Sequence, residues 1–267
     1  MVHGAGFSAR VLPQVPRLFA LLPALGAGGG AALVAADLAG PLGIVAALNW
    51  EMGAFAGCQG GQQRLLLETT GPGPVAAAAG AERAIARGAV CLVSWGTAGA
   101  LGCGGPGDIV LAERVVDETA RVTATDSSLS EALARAFGSI APIHRGTLAS
   151  ASEPVTSVAE KRALAEASGA VAVDMESAAI GRVASAAGLP LVVVRVIVDR
   201  VELAVPAAAI AGMDGPRTRP GRVLAALLES PGETGGLVAL GLAARRARRT
   251  LRACAPLVAS LGDGRPA

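Results

Sequence analysis

Three carboxylates stand where apolar segments end. Glu51 closes the run that begins Leu42-Gly-Ile-Val-Ala-Ala-Leu48, Glu176 follows Val171-Ala-Val-Asp174-Met175, and Asp199 ends Leu191-Val-Val-Val-Arg195-Val-Ile-Val. A buried strand gains nothing from a terminal carboxylate unless something beyond its tip uses it, and open α/β sheets place ligands outside the carboxyl ends of their strands. Acids gathered in a cleft acquire shifted pKa values and suit general acid and base chemistry. The plainer role for each is a helix cap or a salt bridge, for instance Asp199 with Arg195. A fourth segment, Ser94-Trp95-Gly96-Thr97-Ala98-Gly99, follows the apolar Val90-Cys-Leu-Val93. Small residues there let backbone N–H groups approach a phosphate, a ribose or a carboxylate; a purely structural strand-to-loop turn is the alternative.

Composition narrows the classes. With 52% hydrophobic and 16% charged residues the 267-residue chain is neither disordered nor a nucleic-acid scaffold, and a net charge of +2 implies no polyanionic partner. Aromatics at 2%, with no tyrosine, leave a core of Ala, Val and Leu and few rings to stack on a ligand. Cys58, Cys91, Cys103 and Cys254 show no metal spacing, and Cys91 reads as a buried thiol in a reducing compartment. His3 and His144 are too few for a histidine-based zinc site or a Ser-His-Asp triad; His144 reads as an exposed loop histidine.

The first forty residues differ from the rest. Leu18 to Ala36 carries no charge and follows Arg10 and Arg17, as a signal peptide or membrane span would. Pro23 and Gly26-Ala-Gly-Gly-Gly30 argue instead for a low-complexity extension over residues 1–40. Gly26-x-Gly28-x-x-Ala31 imitates a dinucleotide-binding fingerprint, but the strand that should precede it holds Pro23 in its middle.

From Pro41 onward strands alternate with helices. Pro74 to Arg87 reads as a helix with proline in its first turn and Gly88 past its end; Ile109 to Val116 is a strand entered through Pro106-Gly107-Asp108. Ser128-x-x-Glu131 and Ser157-x-x-Glu160 read as capping boxes, and Ile180, Val183, Ala184 and Ala187 form an apolar helical stripe stopped by Gly188-Leu-Pro190. This alternation predicts one α/β domain over 41–254: three α/β/α layers around a largely parallel or mixed sheet. Its last element, Leu237 to Cys254, is a basic helix with Arg245, Arg248, Arg249 and Arg252 on one face and Leu240, Ala243, Ala247 and Leu251 opposite; residues 255–267 are a tail. The arginines are either a solvated face or a contact for anionic lipid headgroups.

Together these segments resemble the nucleoside phosphorylase and nucleosidase superfamily, from Leu42 to Asp199. The stretch Leu42 to Glu51 looks like the opening strand of methylthioadenosine/S-adenosylhomocysteine nucleosidases, which ends in the acid that handles the attacking water. Ser94 to Leu101 looks like the family's glycine-rich loop beside the ribose and nucleophile. Asp174-Met175-Glu176 resembles its ribose clamp, and Arg195-Val-Ile-Val-Asp199 the strand whose aspartate protonates the purine. Ser152-Glu153-Pro154-Val155 and the Leu-, Ala- and Arg-rich C-terminal helix after Ser230-Pro231-Gly232 resemble, more narrowly, the hopanoid-associated phosphorylases that remove adenine from adenosylhopane. The chain departs from the pattern at Pro154, where the methylthioadenosine enzymes stack a phenylalanine, and at Ser94, where hexameric phosphorylases carry a phosphate-binding arginine.

The resemblance implies an enzyme that cleaves the N-glycosidic bond of an adenine nucleoside, with adenosylhopane the expected substrate. Asp199 would protonate N7, Glu51 would activate water, Glu176 and Met175 would hold the ribose, Thr97, Ala98 and Gly99 would line the nucleophile, and Val155 would contact adenine. It implies no metal or organic cofactor, with phosphate as an optional co-substrate, a cytoplasmic homodimer, peripheral contact with the inner face of the membrane through the basic helix, and no nucleic acid. Two alternatives stand beside it: a methylthioadenosine or adenosylhomocysteine nucleosidase, and a nucleoside-binding homologue without turnover.

Overall fold

The computed structural model describes residues 38, 40–58, 65–102, 104–218, 232 and 234–261. Eight strands form one mixed sheet: β1 (Leu42–Ala46), β2 (Leu65–Thr69), β3 (Cys91–Ala100), β4 (Ile109–Asp117), β5 (Val122–Ala124), β6 (Ile143–Ser150), β7 (Ala172–Asp174) and β8 (Leu191–Asp199). The order is β2-β1-β3-β7-β6-β4-β5, and β8 pairs parallel with β3 and antiparallel with β4. Strands β3, β7, β6, β4 and β8 therefore pair in a closed circuit, from which β1–β2 and β5 extend as the edges of the sheet. The antiparallel pairs β3–β7, β4–β5 and β4–β8 make it mixed.

Helices cover both faces. On one face, Leu129, Leu133 and Phe137 of α3 (Ser127–Phe137) and Ala247, Leu251, Cys254 and Val258 of α7 (Thr234–Ser260) pack with Ile44, Val93, Trp95, Leu111 and Val194. On the other, Ala77, Ala81 and Ala84 of α2 (Pro74–Ala86) and Ala179, Ile180 and Ala184 of α5 (Ser177–Ala186) pack with Val45, Leu92, Val110 and Val193. A third cluster sets Leu164 of α4 (Val158–Ser168) against Val116, Ala149 and Val173. Short elements complete the fold: α1 (Asn49–Met52), α6 (Ala207–Ala211) and the hairpin of β9 (Met213–Asp214) with β10 (Arg217–Thr218).

The local signals hold at several places. Pro74 opens α2, Gly88 follows it at φ +91°, the capping box of Ser157 and Glu160 opens α4, and Gly169 closes it in the left-handed region. Cys91 is a buried thiol, pushed up to about 12 by burial.

Other expectations fail. Helix α3 is capped by Asp126, whose side chain accepts from the Leu129 N–H, not by Ser128, which lies inside it. An acid one residue before the first turn satisfies a free N–H better than a serine already within the helix. His144 lies in β6, a quarter exposed, with Nε2 3.0 Å from Asp108 Oδ2, so it is not a loop residue. The strands β2, β5 and β6 lie where no strand was expected, their apolar runs being short or broken by polar residues. Helix α7 continues past Cys254 to Ser260 with Ala255, Val258 and Ala259 buried, so 255–260 is part of the core and not a tail. Leu38, within the expected extension, is also buried in the core. Leu18 to Ala36 and the glycines at 26–30 lie outside the described residues. No helix among the described residues is long and apolar enough to cross a membrane.

Candidate active site

A cavity of about 420 Å³ opens where β1, β3, β7 and β8 end. All eight residues singled out from the sequence line it: Glu51, Thr97, Ala98, Gly99, Val155, Met175, Glu176 and Asp199. The remaining wall is largely apolar, from Ala47, Leu48, Pro72, Pro154, Val173, Val198, Val205 and Ile210.

Glu51 is placed by a one-turn helix. After β1 the chain enters α1, where the Leu48 N–H donates to Glu51 Oε2 at 3.0 Å and Trp95 Nε1 donates to the Glu51 carbonyl at 3.1 Å. Trp95 is itself fully buried, edge-on to Phe55 with ring centroids 4.9 Å apart. The second carboxylate oxygen accepts from the Thr97 N–H at 2.8 Å and the Thr97 hydroxyl at 2.7 Å. Thr97 thus spends both donors on Glu51, where they had been expected to serve a water or phosphate. Burial raises the Glu51 carboxyl above the ordinary glutamate range, against the nearby Arg195 charge and the Thr97 and Leu48 donors.

Arg195, in the middle of β8, is 1% exposed. Its Nη2 lies 2.6 Å from Asp174 Oδ2 and 3.8 Å from Glu176 Oε2, and donates to Ser94 Oγ at 2.7 Å and Ser177 Oγ at 3.1 Å. The pairing of Arg195 with Asp199 does not occur. Four residues of strand span about 13 Å, beyond the reach of the two side chains. Glu176, just before α5, accepts from the Gly73 N–H at 3.0 Å, and burial pushes its carboxyl up to about 7 despite Arg195, with Asp174 and Glu51 adding to the rise.

The glycines of Ser94-Trp-Gly-Thr-Ala-Gly make room for this chain's own side chains. Gly96 has φ +153°, and a Cβ there would lie 2.5 Å from Arg195 Nη1 and 3.0 Å from Glu51 Oε1. A Cβ on Gly99 would lie 3.2 Å and 3.3 Å from the two Asp199 oxygens. The register of β3 with β8 shifts at this point, so that Ala98 pairs with Ile197 and Gly99 with Asp199. A bulge of this kind re-aims the residue beyond it, and here it sets the Asp199 carboxylate over Gly99.

Asp199 is held by a residue the sequence reading missed. Lys161 on α4, fully buried, donates to Asp199 Oδ2 and to the carbonyls of Arg200 at 2.9 Å and Leu203 at 2.7 Å. Burial raises the Asp199 carboxyl above the ordinary aspartate value, and the Lys161 hydrogen bond and charge pull the other way. A lysine in the first turn of a helix opposes the macrodipole and needs a partner, which was the available signal.

Ser94 does leave its own position without a cation, yet it hydrogen-bonds the guanidinium of Arg195, which lies behind Gly96 and outside the cavity wall. Among the described residues, the charged groups of the cavity wall are all acids, Glu51, Glu153, Asp174, Glu176 and Asp199, and Arg195 and Lys161 lie behind them.

Known proteins share this fold. The match to a 5′-methylthioadenosine/S-adenosylhomocysteine nucleosidase from Neisseria meningitidis, solved in complex with methylthio-immucillin-A, has a TM-score of 0.57 at 19% identity, covering 76% of this chain and 99% of that one. The corresponding enzyme from Helicobacter pylori matches with a TM-score of 0.63 at 18% identity, covering 85% and 98%. The futalosine hydrolase of Helicobacter pylori strain 26695 matches with a TM-score of 0.55 at 20% identity, covering 75% and 96%. No curated protein sequence matches the chain. Residues 25–228 match the family model described as the phosphorylase superfamily, and the chain belongs to that superfamily.

Proposed function

We propose that this chain hydrolyses the N-glycosidic bond of an adenine nucleoside, with adenosylhopane as its substrate. The observation that carries the reading is that Glu51 and Asp199 flank one cavity, anchored against β3 at Gly96–Thr97 and at Gly99 respectively. Two to three residues of strand separate these anchors by about 7–10 Å. Carboxylates about 6.5–9.5 Å apart leave room for a sugar and a water between an acid and a base.

In this arrangement Asp199, protonated, gives its proton to N7 of the purine. The C1′–N9 electron pair leaves with adenine, and positive charge grows on the ribose. Glu176 accepts hydrogen bonds from the ribose hydroxyls, with Met175 against the sugar. Glu51 orients a water and takes its proton as the oxygen bonds to C1′. Asp199 is left as a carboxylate on the Lys161 ammonium. The reaction so written uses no metal or organic cofactor. Water suits the site better than phosphate, since a phosphate anion would meet the acids first.

Support for an apolar 5′ group comes from the wall that Pro154, Val155, Val198, Val205 and Ile210 give the 420 Å³ cavity. A second reading keeps the chemistry and takes methylthioadenosine or adenosylhomocysteine, as the names of the structural neighbours suggest. The test is adenine release from adenosylhopane and from 5′-methylthioadenosine by the purified full chain in phosphate-free buffer. A higher kcat/KM for adenosylhopane is expected. The reverse order selects the second reading, and no release from either removes N-glycosidic cleavage.

A further inference from the structure

We propose that the outward face of α7 is a docking surface for a membrane bearing anionic headgroups, on a helix whose first turn packs beside α6 of the cavity wall. Helix α7 has 27 residues, carries Arg245, Arg246, Arg248, Arg249 and Arg252, and contains no acid. Its inward face is spent on the core through Ala243, Ala247, Leu251 and Cys254. The outward face is not simply polar. Val238 is 58% and Leu242 53% exposed, and both lie on one stripe with Arg245 and Arg249 at about 100° per residue. Such a stripe can rest on a lipid surface peripherally, the two aliphatic side chains against the acyl boundary and the guanidinium groups on phosphates.

A groove of about 610 Å³ runs along this face, lined by Asn49, Trp50, Arg217, Arg245 and Arg248. Among the described residues no acid lines it, and none of its three guanidinium groups pairs with a carboxylate. An anionic headgroup is the complement of that charge. A second copy of the chain is not, because a two-fold contact would set the arginines against themselves.

Helix α7 is joined to the catalytic cavity by two short relays, the first from its inward side. At the start of α7, a Cβ on Gly236 would lie 3.2 Å from Pro206, the residue that caps α6, and Ile210 of α6 lines the cavity. On the groove side, the Asn49 N–H donates to the Pro216 carbonyl at 3.0 Å, and Asn49 opens the short helix that carries Glu51. A lipophilic nucleoside held in the membrane would enter beside Ile210. This delivery step rests on the function proposed above; the docking itself does not.

The experiment is cosedimentation of the full chain with phosphatidylcholine vesicles, with and without phosphatidylglycerol, at low and high salt. Three proteins are compared: the wild type, a variant with Arg245, Arg248, Arg249 and Arg252 changed to Gln, and V238S/L242S. Hydrolysis of a soluble 5′-alkyl adenosine reports that each variant is folded. The wild type is expected on anionic vesicles and released by salt. The arginine variant should bind at least about ten-fold more weakly, and the V238S/L242S variant should bind more weakly while its residual binding stays salt-sensitive. Equal recovery of wild type and arginine variant, or a wild type that ignores anionic vesicles or prefers duplex DNA, overturns the proposal. Loss of hydrolysis by the wild type would remove the proposed function and leave the docking result standing.

Discussion

Lys161 donates to Oδ2 of Asp199, whose two oxygens lie within 3.3 Å of where a Cβ on Gly99 would stand. The acid at the tip of β8 is therefore held between a buried cation and a bare stretch of backbone. That arrangement fixes which oxygen remains for a ligand, and it supplies a partner for the carboxylate once the proton has gone.

Changing Lys161 to Met removes both influences that lower the Asp199 pKa and leaves the burial that raises it. The alkaline limb of the kcat/KM–pH profile should move to higher pH. The plateau should fall about 10- to 100-fold, the worth of one charge-assisted hydrogen bond. Lys161→Arg should recover part of the plateau. A lower plateau with an unmoved limb would make Lys161 a packing residue only.

Glu176 makes stability depend on pH in a stated direction. Its folded carboxyl titrates at about 7, above the 4.5 of an unperturbed glutamate. The folded state therefore binds the proton more tightly than the unfolded one. The contribution of Glu176 to stability is fully present below about 4.5 and is lost as pH rises through 7. Glu176→Gln escapes that loss, so it should be more stable than the wild type at pH 8, by up to about 3 kcal/mol, and equal to it near pH 4. Its hydrolytic rate should drop, with less discrimination against 2′-deoxy substrates. Denaturant unfolding across pH checks the first statement; a variant no more stable at pH 8 than the wild type contradicts it.

Gly96→Ala should damage stability and activity together. The added Cβ meets Arg195 Nη1 and Glu51 Oε1 inside a buried network, at a φ that favours glycine. A loss of about 1–3 kcal/mol is expected. Gly99→Ala, whose Cβ would sit at 3.2 Å or more from the Asp199 oxygens, should be milder in stability and reduce mainly turnover. Urea midpoints and kcat for the two variants give the comparison, and equal midpoints would refute the account of Gly96.

The line between what sequence showed and what it hid follows the range of the interaction. Glu51, Glu176 and Asp199 were legible because each ends an apolar run, and strand ends converge whatever the rest of the chain does. The Gly96–Gly99 segment was legible as a close approach, but not what approaches; the visitors are Arg195, Glu51 and Asp199. Lys161 and Asp199 are 38 positions apart and meet only when α4 packs on the end of β8. Ser94, Ser177 and Arg195 likewise form one hydrogen-bonded cluster from three elements, and no local pattern marks it. Strand β6 was invisible because His144-Arg-Gly-Thr147 interrupts its apolar residues and only its last four residues, Thr147 to Ser150, are buried.

The nucleophile has its own test. With acids on the cavity wall and Arg195 behind it, hydrolysis should run at full rate in phosphate-free buffer and give free ribosyl product. A requirement for phosphate with a 1-phosphate product would show that Arg195 reaches the substrate after all.

The central claim is that Asp199 is the acid that releases adenine. Asp199→Asn keeps the shape and the contact with Lys161 and cannot give up a proton. Adenine release from a 5′-alkyl adenosine should fall about 10²- to 10⁴-fold while the nucleoside still binds. Near-full turnover by Asp199→Asn would contradict the account.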